Sequence, residues 1–196
     1  MLALPLAAAL PGFVQSAAAE AVRVRGAVVN ADSKALTVKT REGETVTIAL
    51  KQGWKVSGVA RAAIDDIKPG DYVGIASLPR KDGGNGALEV LIFPSALKGT
   101  GEGSFGWDLK PDSTMTNATV ADAVKDVDGR TVTVTYHGKA KKIAVPDGTP
   151  VVTLAPATEA DLKPGAAVFV SGDKDASGAI AAQQVVVGAN GVVPPM

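Results

Sequence analysis

The chain has 196 residues, 46% hydrophobic but only 4% aromatic, so its cores must be built mainly from Val, Ile, Leu and Ala. Twenty basic side chains match twenty acidic ones, which leaves no excess for backbone-driven nucleic-acid binding or electrostatic attachment to a membrane. Cysteine is absent, which excludes disulfides, thiolate metal sites and cysteine nucleophiles.

The first element is the apolar stretch Met1–Val14, followed by Gln15-Ser16 and Ala17-Ala18-Ala19. The Ala17-x-Ala19 spacing suits signal peptidase, with cleavage before Glu20, so residues 1–19 read as a signal peptide. No Lys or Arg precedes the apolar core, which fits a true start upstream. Pro5 and Pro11 break the stretch, and it is too short to span a bilayer. The expected location is periplasmic or secreted, with no membrane span in the mature protein.

From Val22 onward the apolar pattern has the period of strands. Val22-Arg23-Val24-Arg25 alternates apolar and charged, as a half-buried strand does. Ala35–Val38 and Thr45–Leu50 continue it around a turn at Arg41-Glu42-Gly43-Glu44, and Trp54 reads as core or interface filling. Ala62–Ile67 reads as one helical turn leading into Lys68-Pro69-Gly70, where Pro then Gly predict a type II turn. Strands Asp71–Ser77 and Ala87–Phe93 complete the unit.

Pro94–Ala118 breaks the pattern. It is rich in glycine (Gly99, Gly101, Gly103, Gly106) yet carries Phe105, Trp107 and Met115. A flexible linker has no use for aromatic rings, so an ordered connecting loop is expected.

The script then starts again. Ala27-Val28 matches Ala123-Val124, Asp32 matches Asp128 and Thr37-Val38 matches Thr133-Val134, all at an offset of 96. After a deletion near Gly43/Gly138 the offset is 95 and holds to Asp66–Gly70 against Asp161–Gly165. The second hairpin runs Thr131–Tyr136, turns at His137-Gly138 and returns through Lys141–Val145, with Asp128-Gly129 a strong turn signal before it. Thr158–Asp161 reads as a capped helical turn, and Ala166–Ser171 and Ala179–Val187 as the last strands.

A repeat of this length is one foldable unit, and a unit so small is marginal alone, so the two should pack together. The expected fold is all-β, with two tandem small OB-like β-barrel domains related by internal duplication. Residues 20–94 form the first barrel, 95–118 the connecting loop, 119–188 the second barrel and 189–196 an extended tail.

His137 is the single histidine and has no carboxylates at ligand spacing, so no metal site is expected. Asp173-Lys174-Asp175 and the run 81–86 lack the spacing of a calcium loop, and no Gly-x-Ser-x-Gly elbow occurs. No catalytic residue and no cofactor are expected. The connecting loop is the remaining candidate. Trp107 and Phe105 would stack on a ligand in a cleft between the barrels, with Glu102 and Asp108 hydrogen-bonding to it. The plainer alternative is that both rings cement the barrels together. Glu102 and Asp108 would suit glycan hydrolysis only if both face one cleft within about 10 Å.

The opening Val24-Arg25-Gly26-Ala27-Val28, the Asp-Leu-Lys-Pro-Gly turn at 161–165, the central Gly99–Gly103, Trp107–Leu109 and Ser113–Asn117, and the Pro194–Met196 end carry a resemblance. Together they resemble an exported bacterial domain-of-unknown-function family with tandem small β-barrel repeats, often labelled metal ABC transporter permease. A permease needs several apolar spans of about 20 residues, and none follows Ala19. Relatives carry histidines around the central loop where Leu91 and Ser104 stand here, which weakens a metal role. The resemblance implies a fold and an export route, and no established activity. The expected function is a non-catalytic periplasmic binding or protein-interaction module of the cell envelope. Its partner would be an envelope protein or a small ligand. The alternatives are a metal-handling accessory of a transporter and an envelope glycan hydrolase.

Overall fold

The computed structural model describes residues 19–126 and 129–194, without the side chain of Asp126. The signal-peptide reading of residues 1–18, Asp128 of the expected turn and the final Pro195-Met196 lie outside the described residues. Within them the chain is all-β, with four single 3-10 turns and no longer helix. The strands are β1 (Glu20–Ala31), β2 (Ala35–Thr40), β3 (Thr45–Arg61), β4 (Tyr72–Pro79), β5 (Asn85–Phe93) and β6 (Gly103–Gly106). They continue with β7 (Thr114–Asp126), β8 (Gly129–Tyr136), β9 (Lys139–Pro146), β10 (Val151–Ala155), β11 (Ala167–Lys174) and β12 (Ile180–Gly188).

All twelve belong to one mixed sheet, and its pairings close into two five-stranded rings. In the first, β1 pairs β2, β2 pairs β3, β3 pairs β12 in parallel, β12 pairs β11, and β11 returns to β1. In the second, β7 pairs β8, β8 pairs β9, β9 pairs β5 in parallel, β5 pairs β4, and β4 returns to β7. Closure leaves little free edge for unwanted pairing. Each ring holds its own aliphatic core. Leu36, Val38, Ile48, Val170 and Val185 fill the first, with Leu162 packed among them. Val73, Ile75, Val132, Val134 and Ile143 fill the second, with Ile67 in the matching place.

The rings meet at β10, which pairs antiparallel with the end of β3 and parallel with β5. There Val59 faces Leu154, the residue 95 positions later, so the junction is symmetric about this pair. A third cluster seals it: Val59, Leu91, Val152, Phe169 and Val186, with Phe93 and Trp107 packed against them.

The expected tandem arrangement, with each sequence unit closing on itself, differs from this pairing. β4 and β5 belong to the first unit but close the ring of β7, β8 and β9, while β11 and β12 close the ring of β1, β2 and β3. The physical reason lies in β3. At 17 residues it spans about 55 Å and carries the chain out of its own ring. Ala62 then donates its N–H to Val151 O (2.9 Å), and the turn Ile64–Asp66 delivers β4 to the neighbour. The Lys-Pro-Gly corners are type II turns as expected. Asp71 N–H donates to Lys68 O (3.1 Å) with Gly70 at φ 93°, and Ala166 N–H to Lys163 O (2.9 Å) with Gly165 at φ 87°.

Two sequence assignments shift. In the two rings the position matching Val28 is held by Val120 and not by Val124. Val28 faces Val38 as Val120 faces Val134, and each valine carbonyl accepts the N–H of a corner glycine, Gly165 or Gly70 (2.8 Å each). Burial decides this register: Val120 is fully enclosed, whereas Val124 is 52% exposed. The β7–β8 hairpin is therefore four residues longer than the β1–β2 hairpin. Thr114–Ala118, read above as the end of the loop, is the first part of β7.

Candidate functional site

The connecting segment is strapped across the outer face of the second ring. Tyr72 OH donates to Thr100 O (2.9 Å), Lys98 Nζ to Gly70 O (3.0 Å) and Asn117 Nδ2 to Gly101 O (3.1 Å). β6 then adds to β7, with Phe105 opposite Met115. A tight loop follows, and the buried Ser113 knots it. Its backbone O accepts the Trp107 N–H (2.8 Å), and its hydroxyl lies within reach of the carbonyls of Trp107 (2.9 Å) and Lys110 (2.7 Å). The strap and knot together set Trp107 against the ring junction.

Beneath Trp107 lies a cavity of about 90 Å³, lined by Gly74, Glu89, Leu91, Phe93, Phe105, Trp107, Met115 and Asn117. Strand alternation explains the lining. Val90 points into the ring core, so Glu89, Leu91 and Phe93 must share the outer face. On that face Gly74 lies between Leu91 and Asn117 and contributes no side chain, which leaves the floor open. A Cβ there would meet Asn117 Oδ1 at 2.9 Å and Phe93 Cε2 at 3.2 Å. Phe105 is 42% exposed, and its ring meets that of Trp107 edge-on (6.1 Å, 64°).

Glu89 is the one carboxylate among the described lining residues, and only 6% of it is exposed. Its Oε1 is shut from solvent with no hydrogen-bond partner among the described residues. Burial pushes its pKa up to about 7, even though the charges of Arg25 and Arg41 pull the other way. Trp107 Nε1 is likewise enclosed, with no partner among the described residues. A buried polar atom left unpaired costs about 1–3 kcal/mol, so two around one cavity call for an explanation.

The four residues singled out from sequence divide. Phe105 and Trp107 line the cavity together. Asp108 sits beside it, accepting from Arg25 Nη2 at 2.8 Å with Arg23 Nη1 at 3.8 Å. Arg23 in turn stacks over the Trp107 ring at 4.0 Å. Partial burial raises the Asp108 pKa, but the Arg25 hydrogen bond and the charges of Arg25 and Arg23 outweigh it and hold it below the ordinary aspartate value. Glu102 turns elsewhere, accepting the backbone N–H of His137 in the β8–β9 turn at 2.7 Å. The two acids thus have separate partners.

Glu89 and Gly74 were not identified from sequence, although a signal was present. Glu89 is the only charge in the strand Ala87–Phe93. At the equivalent register of the first ring stand Phe169 for Gly74, Gln184 for Glu89, Arg25 for Asn117 and Arg23 for Met115. Phe169 fills the position that Gly74 leaves open. The cavity is therefore a property of one ring face.

Elsewhere, Lys141 Nζ reaches the hydroxyls of Thr116 (3.1 Å), Thr114 (3.3 Å) and Ser104 (3.4 Å), and burial lowers its pKa. Those hydroxyls satisfy it, so it reads as a plug at the polar mouth of the second ring. Among the described residues no three His, Asp or Glu side chains gather as a metal site, and no helix is long and apolar enough to cross a membrane. No family model, curated protein or solved structure matches the chain.

Proposed function

We propose that the protein is a non-catalytic binding module of the cell envelope, built from two OB-like barrels descended from one duplicated unit, that takes a small ligand at the barrel junction. The observation that carries this reading is Glu89, whose buried Oε1 has no hydrogen-bond partner among the described residues and lies beside an aromatic-walled cavity. A junction serving only as cement gains nothing from a buried unpaired carboxylate, which destabilises the fold. Sites that bind ligands keep such groups because the ligand satisfies them. Periplasmic or secreted placement belongs to the same proposal and rests on the Ala17-x-Ala19 pattern.

The volume limits what is enclosed. About 90 Å³ is room for several waters or for one compact head group. The remainder of a larger ligand would extend past Phe105.

Two tryptophans make the test internally controlled. The indole of Trp54 donates to Ser33 O at 3.2 Å, away from the cavity, while that of Trp107 has no partner among the described residues. In ¹H–¹⁵N spectra, tetramethylammonium, tert-butanol and acetamide are titrated against the two indole signals. A saturable shift of the Trp107 signal alone, lost in Gly74→Ala, is expected for at least one probe. If all three leave Trp107 unmoved, or the shift persists in Gly74→Ala, the junction is cement.

A further inference from the structure

We propose that the occupant of this cavity is an organic cation, an alkylammonium group whose methyl or methylene surface meets Trp107, Phe105 and Phe93 and whose charge is balanced by Glu89. The inference rests on the binding role proposed above and names its ligand class.

The walls and the counter-charge together select this chemistry. The faces of aromatic rings carry negative potential and attract cations, most strongly where water is excluded. The same potential disfavours an anion, as does the Glu89 carboxylate. A neutral apolar group would fill the space but leave Glu89 Oε1 unpaired, at the usual desolvation cost. A metal ion would find one carboxylate and one amide oxygen among rings, too few hard ligands for calcium or magnesium. An alkylammonium matches both the apolar lining and the charge. Met115, which also lines the cavity, adds a polarisable wall of the kind that adapts to methyl groups.

The neighbouring arginines do not fill the role themselves. Arg25 donates to Asp108 and lies over the Phe169 ring at 5.1 Å, and Arg23 covers Trp107, so both are held on the first-ring side of the junction. The charges that act on Glu89 are those of Arg25 on β1 and Arg41 in the β2–β3 turn, and both favour its ionised form; the two line a neighbouring pocket with Arg23, Glu42 and Asp108. A bound cation favours the ionised carboxylate. Its affinity should therefore rise with pH through the Glu89 titration and flatten above it.

Choline and 3,3-dimethylbutan-1-ol share size and shape and differ in charge. Each is titrated into the full chain at pH 6 and pH 8, by calorimetry and by the Trp107 indole signal. The expected result is that choline binds at least tenfold more tightly than the alcohol at pH 8, and more tightly at pH 8 than at pH 6. In Glu89→Gln the preference should vanish while the alcohol still binds. Equal binding of both by the wild-type chain overturns the cation assignment and leaves the binding site standing. So does a choline preference that survives in Glu89→Gln. Failure of both to bind or to move Trp107 overturns the cation assignment and counts against the binding site as well. The wild-type comparison decides the matter even if Glu89→Gln does not fold.

Discussion

At the scale of single residues, Glu89 and Gly74 define the proposed site, one by its charge and the other by its missing side chain. Glu89 also makes a stability prediction with a definite sign. Its folded pKa, about 7, lies above the ordinary glutamate value of 4.5, so between those values the folded chain holds the proton that the unfolded chain has released. Stability contributed at this position is therefore intact below about pH 4.5 and declines as pH rises towards 7. The loss is on the order of 3 kcal/mol. Glu89→Gln should remove this dependence and raise stability at pH 8, read by urea unfolding at pH 5 and pH 8. A variant that is less stable than the parent at pH 8 would mean that the carboxylate has a stabilising partner. Gly74→Ala should change stability by less than about 1 kcal/mol, because the added methyl meets side-chain atoms that can shift and no left-handed backbone is involved. It should nevertheless abolish binding. Thermal unfolding beside the indole titration separates these two outcomes.

At the scale of elements, the strap from Ser95 to Ser113 turns an outer sheet face into an enclosed one. Its anchors are polar, and the aromatic contact depends on the Ser113 knot. Ser113→Ala should cost about 1–2 kcal/mol in urea unfolding and broaden the Trp107 indole signal. An unchanged signal would show that packing alone holds the ring. Trp107→Ala should cost about 2 kcal/mol, less than a fully buried aromatic because Trp107 is only half-buried. The strands, the Lys-Pro-Gly corners and an ordered, aromatic central segment were legible in sequence, because period-2 patterning and turn chemistry are local. The start of β7 was not. Pro94–Ala118 looks like loop by composition, and only its pairing with β4 and β6 makes Thr114–Ala118 a strand. Matching Val28 to Val124 failed for a related reason. Sequence similarity cannot reveal that a longer hairpin has moved the buried valine to position 120.

At the scale of the whole molecule, the exchange of strands joins the ends of the described chain. The second ring is made of residues 72–146, whereas the first needs β1 and β11, whose partners Glu20 and Lys174 stand at opposite ends of the sequence. Contacts that distant close slowly. Pulse-labelled hydrogen exchange during refolding should protect β7, β8 and β9 before β1 and β11, and the reverse order would contradict this topology. No periodicity could have revealed the exchange, since residues 20–93 and 114–188 each supply five of the ring strands and the alternation within a strand does not name its partner. The exchange bears on the proposed site because it sets the outer face of one ring against the other across Trp107. The direct measurement of that central claim is the ¹³C chemical shift of the Glu89 side-chain carboxyl followed from pH 3 to pH 9. A midpoint near 7 is predicted for the free protein, falling when choline is present. A midpoint near 4.5 that choline leaves unchanged would show a solvated or paired carboxylate, and the junction would then hold no such site.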